Sequence, residues 1–188
     1  MQHTLVALVE DKPGVLNRVA SLFRRRAFNI ESLTVGHTEI PGVSRMTIVI
    51  DSSQTNAERV VANLYKLVNV IQIHDLADQP AVSRDLALIK VAASPDRRSE
   101  IMQLVDVYRA RIVDVANDSL IVEITGDEPK IDSFVDVLRP FGILEMVRTG
   151  MVAMKRGPNP DFGIYSGNGR SHATPVSMQL NAIGGTPQ

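Results

Sequence analysis

TLVALVEDKPGVLNRVASLF, residues 4–23, sets the reading of everything that follows. Residues 4–10 form a short apolar, β-branched run of strand character, and the next apolar positions, Val15, Val19, Leu22 and Phe23, recur at helical spacing. Between them stand an acid, a Pro and a Gly, so a strand turns directly into an amphipathic helix. Working outward, Asn29 to Val35 resumes strand composition, and HTEIPGVS (37–44) supplies a turn at Pro41-Gly42. Met46, Ile48 and Ile50 then alternate with Thr47 and Val49, which completes an antiparallel hairpin. Ala57, Val60, Val61, Leu64 and Leu67 mark a second helix face, and Val70, Ile71 and Ile73 a closing strand. The order is βαββαβ.

The same order returns about 80 residues later with different residues. Leu86 to Val91 reads as a strand, Ser94-Pro95 opens a helix with Ile101, Leu104, Val105 and Tyr108 on one face, and strands at 111–115 and 120–125 join across Asn117-Asp118. A helix marked by Ile131, Phe134, Val135 and Leu138 and a strand at 143–147 close the unit; Met151, Val152 and Met154 extend this last strand region. Each unit fits the ferredoxin-like split βαβ, four antiparallel strands with two helices on one face. The expected fold class is therefore α+β: two tandem ferredoxin-like domains at 1–76 and 85–155, with the polar, Pro-containing 77–84 as linker. From Gly157 onward six of the 12 Gly and four of the 10 Pro accompany almost no clustered apolar residues, so 156–188 is expected to be a flexible tail.

Composition excludes several functions. The 20 basic and 21 acidic residues leave a net charge of -1, too little field to hold nucleic acid or an anionic membrane. The absence of Cys removes disulfides, thiol nucleophiles and thiolate metal sites. No apolar run approaches the ~20 residues of a membrane span, and a soluble, cytoplasmic chain is expected. His3, His37, His74 and His172 show no metal-ligand spacing. His74-Asp75 lacks any activated Ser that would make it part of a triad. Arg24-Arg25-Arg26 sits where cations meet the negative end of a helix dipole, or forms a contact surface for an acidic partner protein. No enzyme mechanism emerges.

The turn itself carries chemistry. Asp11 can accept from a first-turn N–H, Pro13 has no N–H to lose at an early helical position, and Gly14 lacks a Cβ. These are ordinary helix-start roles. The same arrangement also leaves N–H groups at Gly14 and Val15 facing outward at a positive dipole end, where a small carboxylate can dock. Asn29, at the start of the next strand and beside the first strand, can offer oxygens to an ammonium. Helix start and amino-acid site both stand on these residues alone.

LVEDKPGVLNRVASLFRRRAFNIESLTVG, VSRMTIVID and KLVNVIQIHDL, followed by SRDLALIKV, RIVDVANDSLIVEITG and RTGMVAMKRG, closely resemble the regulatory small subunit of acetohydroxyacid synthase (acetolactate synthase) over about residues 2–156. In that family the N-terminal unit is an ACT domain, an amino-acid-binding βαββαβ module. The resemblance implies a non-catalytic subunit without a cofactor of its own, which binds a catalytic large subunit carrying thiamine diphosphate, Mg²⁺ and FAD, raises its activity and confers feedback inhibition by valine in branched-chain amino acid biosynthesis. It further implies a homodimer through the ACT domains, with the effector between Asp11, Gly14 and Val15 of one copy and Asn29 and Ile30 of the other. Position 11 is Asn or Asp in the family, and the acid here is expected to face the effector ammonium or to cap the helix. The alternative is a stand-alone ACT-type amino-acid sensor or co-regulator with another partner. A small ferredoxin-like acyl-phosphate hydrolase would need an Arg in the phosphate-cradling loop, which DKPG followed by Val-Leu does not supply.

Overall fold

The computed structural model describes residues 2–51 and 56–157, and two sheet-and-helix units occupy them. The expected tail lies outside the described residues from 158 onward. In the first unit β1 (Gln2–Glu10) leads through α1 (Val15–Arg26) to β2 (Ser32–His37), and β3 (Val43–Asp51), α2 (Ala57–Leu64) and β4 (Val70–Asp75) follow. The sheet order is β2-β3-β1-β4, with β1 antiparallel to both β3 and β4. The central strand is buried because its two neighbours and two helices cover it: Leu5, Ala7 and Val9 meet Met46, Ile48, Ile50 and Ile73 under Val15, Val19, Leu22, Phe23, Val60 and Leu64. Helical spacing in 15–23 thus reproduces the buried face of α1.

The second unit has β5 (Ala81–Ala92), α3 (Arg98–Val107), β6 (Arg111–Val115), β7 (Ser119–Gly126), α4 (Glu128–Leu138), β8 (Ile143–Arg148) and β9 (Val152–Lys155). Its order, β6-β7-β5-β8, is the same as in the first unit, and a separate core fills it around Ile89, Ile101, Leu120, Ile124, Phe134 and Leu138. Asp127 caps α4 by accepting from the Lys130 N–H at 3.3 Å, with Pro129 in the first turn.

Three sequence expectations change. Strand character was expected from Asn29, but β2 begins at Ser32. α1 ends in a left-handed Ala27 (φ 53°), with the Ala27 N–H donating to Arg24 and that of Phe28 to Phe23, and the chain needs the next residues to turn back. β2 also pairs only with β3, since the split βαβ crossover leaves a gap that β3 fills; Asn29 is therefore not beside β1. The stretch 77–84 divides, for residues 81–84 are the first part of β5 and pair with β9. Finally, 151–154 does not simply prolong β8. β8 pairs with 87–91 of β5 and β9 with 81–84, and Thr149-Gly150-Met151 face only Asp85-Leu86, a one-residue bulge with Gly150 at φ 84°.

The β5–β9 ribbon lies on the helix-free face of the first sheet. Ala153 and Ala81 pack with Val6 and Leu76, and the half-buried Arg45 donates to the Ala153 carbonyl. Burial pushes the Arg45 guanidinium below its ordinary value. No helix among the described residues is long and apolar enough to cross a membrane.

Candidate functional site

The loop from Glu10 to Val15 is held on both sides by backbone. The Asp11 N–H donates to the Gly42 carbonyl at 2.8 Å, tying the loop to the β2–β3 turn, and the Glu10 N–H donates to the Asn69 carbonyl at 2.9 Å. Gly14 is the N-cap of α1 in a left-handed conformation (φ 84°, ψ -5°), and no side chain caps this helix. An L side chain rarely adopts that φ, and a Cβ placed there would meet nothing within 4 Å, so the space in front of the helix end is open. Asp11 does not cap α1. Its Oδ2 lies 3.2 Å from His37 Nδ1 at the end of β2, with both side chains exposed. Pro13 precedes the N-cap rather than entering the helix. Of the two expected donors, Val15 gives its N–H to the Lys12 carbonyl at 3.3 Å, whereas the Gly14 N–H makes no hydrogen bond among the described residues.

A network beneath the loop fixes its position. Asn69, almost fully buried, donates from Nδ2 to Glu10 Oε2 at 2.6 Å and accepts from Arg18 Nη1 at 2.8 Å; Lys12 Nζ is 3.1 Å from the same Glu10 oxygen. The Asn69 amide, and secondarily Lys12, lowers the Glu10 carboxyl below its ordinary 4.5. A depressed carboxyl stabilises the fold above its unfolded value, and that contribution vanishes as pH falls through the folded value. Asn69→Ala is expected to lower stability at neutral pH, because the side-chain hydrogen bonds to Glu10 and Arg18 are lost. The gap between variant and wild type should narrow once pH drops below 4.5. Urea unfolding at pH 7 and pH 3.5 checks it; a pH-independent gap would show that Glu10 is not the partner that matters.

Asn29 and Ile30 lie elsewhere. They precede β2, where the Glu31 N–H donates to the Val49 carbonyl and Gln2 Nε2 reaches Glu31 Oε2 at 2.8 Å, all at the first-residue end of β1. Asp11 to Val15 follow the opposite end. β1 has nine residues, so about 27 Å separates the two groups at ~3.4 Å per residue. One copy of the chain does not bring them together. Ile30 packs partly against the first core and Asn29 is exposed, beside β2, an edge strand whose Val35, Gly36 and His37 are exposed.

Residues 84–157 match the family model described as the small subunit of acetolactate synthase, and residues 5–72 that of the AHAS small subunit-like ACT domain. A probable acetolactate synthase small subunit of Archaeoglobus fulgidus is 54% identical over 157 residues, which is 84% of this chain and 98% of that one. The chain belongs to the acetolactate synthase small-subunit family. The small subunit of Mycobacterium bovis is 53% identical over 83% of this chain and 93% of its own length. The crystal structure of the acetolactate synthase small subunit from Thermotoga maritima superposes with a TM-score of 0.78 at 40% identity, covering 85% of this chain and 99% of that one. Both ferredoxin-like units of this small subunit are thus family features, and its first unit is an ACT domain.

In this small subunit no group of three or more His, Asp or Glu among the described residues could hold a metal ion. Asp75 pairs with His3 Nδ1 at 2.9 Å across β1 and β4. Sequence reasoning missed Glu10, Arg18, His37 and Asn69 around the loop. Only Asn69 left a trace in the sequence, a polar residue directly before the apolar run Val70-Ile71.

Proposed function

We propose that this chain is the regulatory subunit that stimulates the catalytic large subunit of acetolactate synthase and makes it sensitive to valine. It acts in the cytoplasm as a homodimer of ACT domains. The large subunit carries thiamine diphosphate, Mg²⁺ and FAD; this chain carries no cofactor. The observation that supports the reading best is the open, side-chain-free N-terminus of α1 at Gly14. An unpartnered N–H and a positive dipole end suit a small carboxylate, and the ammonium needs acceptors that the same copy holds about 27 Å away. A two-fold axis beside the edge strand β2 reverses one copy against the other. It sets Asn29 and Ile30 of the second copy next to Asp11, Gly14 and Val15 of the first. Asp11, partnered by His37, then faces the ammonium rather than the carboxylate.

Inhibition follows from linkage. Valine lowers activity only by binding the inhibited arrangement of the two subunits more tightly than the active one, a coupling of typically ~1–3 kcal/mol. The purified chain is expected to turn over no pyruvate alone, to raise the rate of added catalytic subunit severalfold, and to make that rate fall with valine. A catalytic rate unmoved by this chain would favour a sensor with another partner.

A further inference from the structure

The effector loop does not end at Ile30. Two residues on, Ser32 and Thr34 leave the helix-free face of the first sheet and meet the bulge of the second unit: the Met151 N–H donates to Ser32 Oγ at 3.2 Å, and Thr34 Oγ1 donates to the Thr149 carbonyl at 3.4 Å. The approach is close enough that a Cβ on Gly150 would lie 2.5 Å from Ser32 Oγ and 3.0 Å from Thr34 Oγ1.

On the second-unit side the bulge is tied to charge. Thr149 Oγ1 donates to Oδ1 of the buried Asp85 at 3.0 Å, and Arg148 bridges Asp85 (3.0 Å) and Asp132 (2.7 Å) on α4. Burial opposes the Arg148 charge, but the two carboxylates outweigh it and raise its value further. An open cleft of about 380 Å³, lined by Glu31, Ser32, Val49, Asp85, Arg148 and Gly150 among others, lies against the bulge. Thr4 Oγ1 also donates to Met151 Sδ at 3.6 Å beside the bulge, and a second contact between the units among the described residues is the small apolar patch of Val6, Leu76, Ala81 and Ala153, together with Arg45. Among the described residues the second unit thus meets the first through an apolar patch that can serve as a pivot and through a largely polar contact at the bulge that can open.

We propose that the contact of Ser32 and Thr34 with Thr149-Gly150-Met151 is a latch that transmits effector occupancy at Asn29-Ile30 to the orientation of the second unit. The inference rests on the reading of this chain as a valine-responsive subunit. A ligand that draws in the 29–30 loop displaces Ser32 through only one intervening residue, Glu31. Packed elements respond to such small shifts by switching between discrete arrangements, and the bulge is where the ladder along β5 is interrupted between the β8 and β9 registers.

Gly150→Ala closes the approach sterically, and Ser32→Ala removes only a hydroxyl, so at least one variant retains the fold. In full-length chain mixed with catalytic subunit, both are expected to stimulate as wild type does. Calorimetric valine affinity of the chain alone should stay within about threefold of wild type, while the valine concentration for half-inhibition of the complex rises at least about tenfold, a loss of ~1.4 kcal/mol of coupling. Hydrogen exchange at the Met151 amide should respond to valine in wild type and not in Ser32→Ala. Variants that bind and are inhibited like wild type would overturn the latch and leave the regulatory reading standing. A wild-type chain that binds no valine would instead remove the reading itself, and the latch with it.

Discussion

A chain carrying Gly14→Asp is expected to stimulate the catalytic subunit as wild type does and to have lost its response to valine. Three effects act together. The left-handed φ of 84° strains an L side chain, less for Asp than for Ala, and relief of that strain shifts the loop out of the shape that presents its N–H groups. The open space ahead of the helix, where an added Cβ meets nothing within 4 Å, is filled by the new carboxyl group. Its charge also occupies the positive end of α1 and repels a second carboxylate there. Together these should weaken valine binding by at least about 30-fold, or ~2 kcal/mol. Gly14→Ala carries the strain without the charge and should lose less. Titration calorimetry of the three chains separates the contributions, and equal affinity across them would take Gly14 out of the site.

The second large effect is on stability. Phe134 is fully buried in the core of the second unit, its ring 4.9 Å from that of Tyr108. Phe134→Ala is expected to destabilise that unit by about 3–5 kcal/mol through lost burial and the cavity left behind. With a urea slope of ~1–3 kcal/mol/M, the midpoint should drop by roughly 2 M. The two large cores share no residue, and the patch between them is small. The second unit should therefore unfold ahead of the first, and one two-state transition should no longer describe the variant. Amide exchange resolved by segment tests this: protection lost in β5 to β8 but kept in β1 to β4 is the expected pattern, and uniform loss would mean the units unfold as one.

The fold was legible because each strand and helix announces its own period. Val15, Val19, Leu22 and Phe23 are spaced as a helix face and are the buried residues of α1, and Met46, Ile48 and Ile50 alternate as they pack. What stayed hidden depends on partners far along the chain. Ala81 to Arg84 looks polar and loop-like until β9 arrives from 152–155 to pair with it. Asn29 has strand-like neighbours, yet the left-handed end of α1 postpones β2 to Ser32. At the candidate site the local chemistry of Gly14 could be read in place, whereas His37, Gly42 and Asn69 reach the loop only through strand register. Helix-start logic also misplaced Asp11, since its side chain turns to His37 instead of the helix.

The central place of β1 carries a consequence for synthesis. Its core run, Leu5 to Val9, is almost completely buried in the finished fold, yet it is made before either strand that flanks it. Its partner β3 begins at Val43 and β4 ends at Asp75. At ~5–20 residues per second, the nascent strand waits roughly 3–13 s for its second neighbour, an apolar β-prone segment with at least one edge bare throughout. The charged triplet Glu10-Asp11-Lys12 that closes it belongs to the type of flanking residue that keeps such segments from pairing with one another. The turn that leads from β1 into α1 thus also carries the flanking charge expected to limit aggregation of the newborn chain.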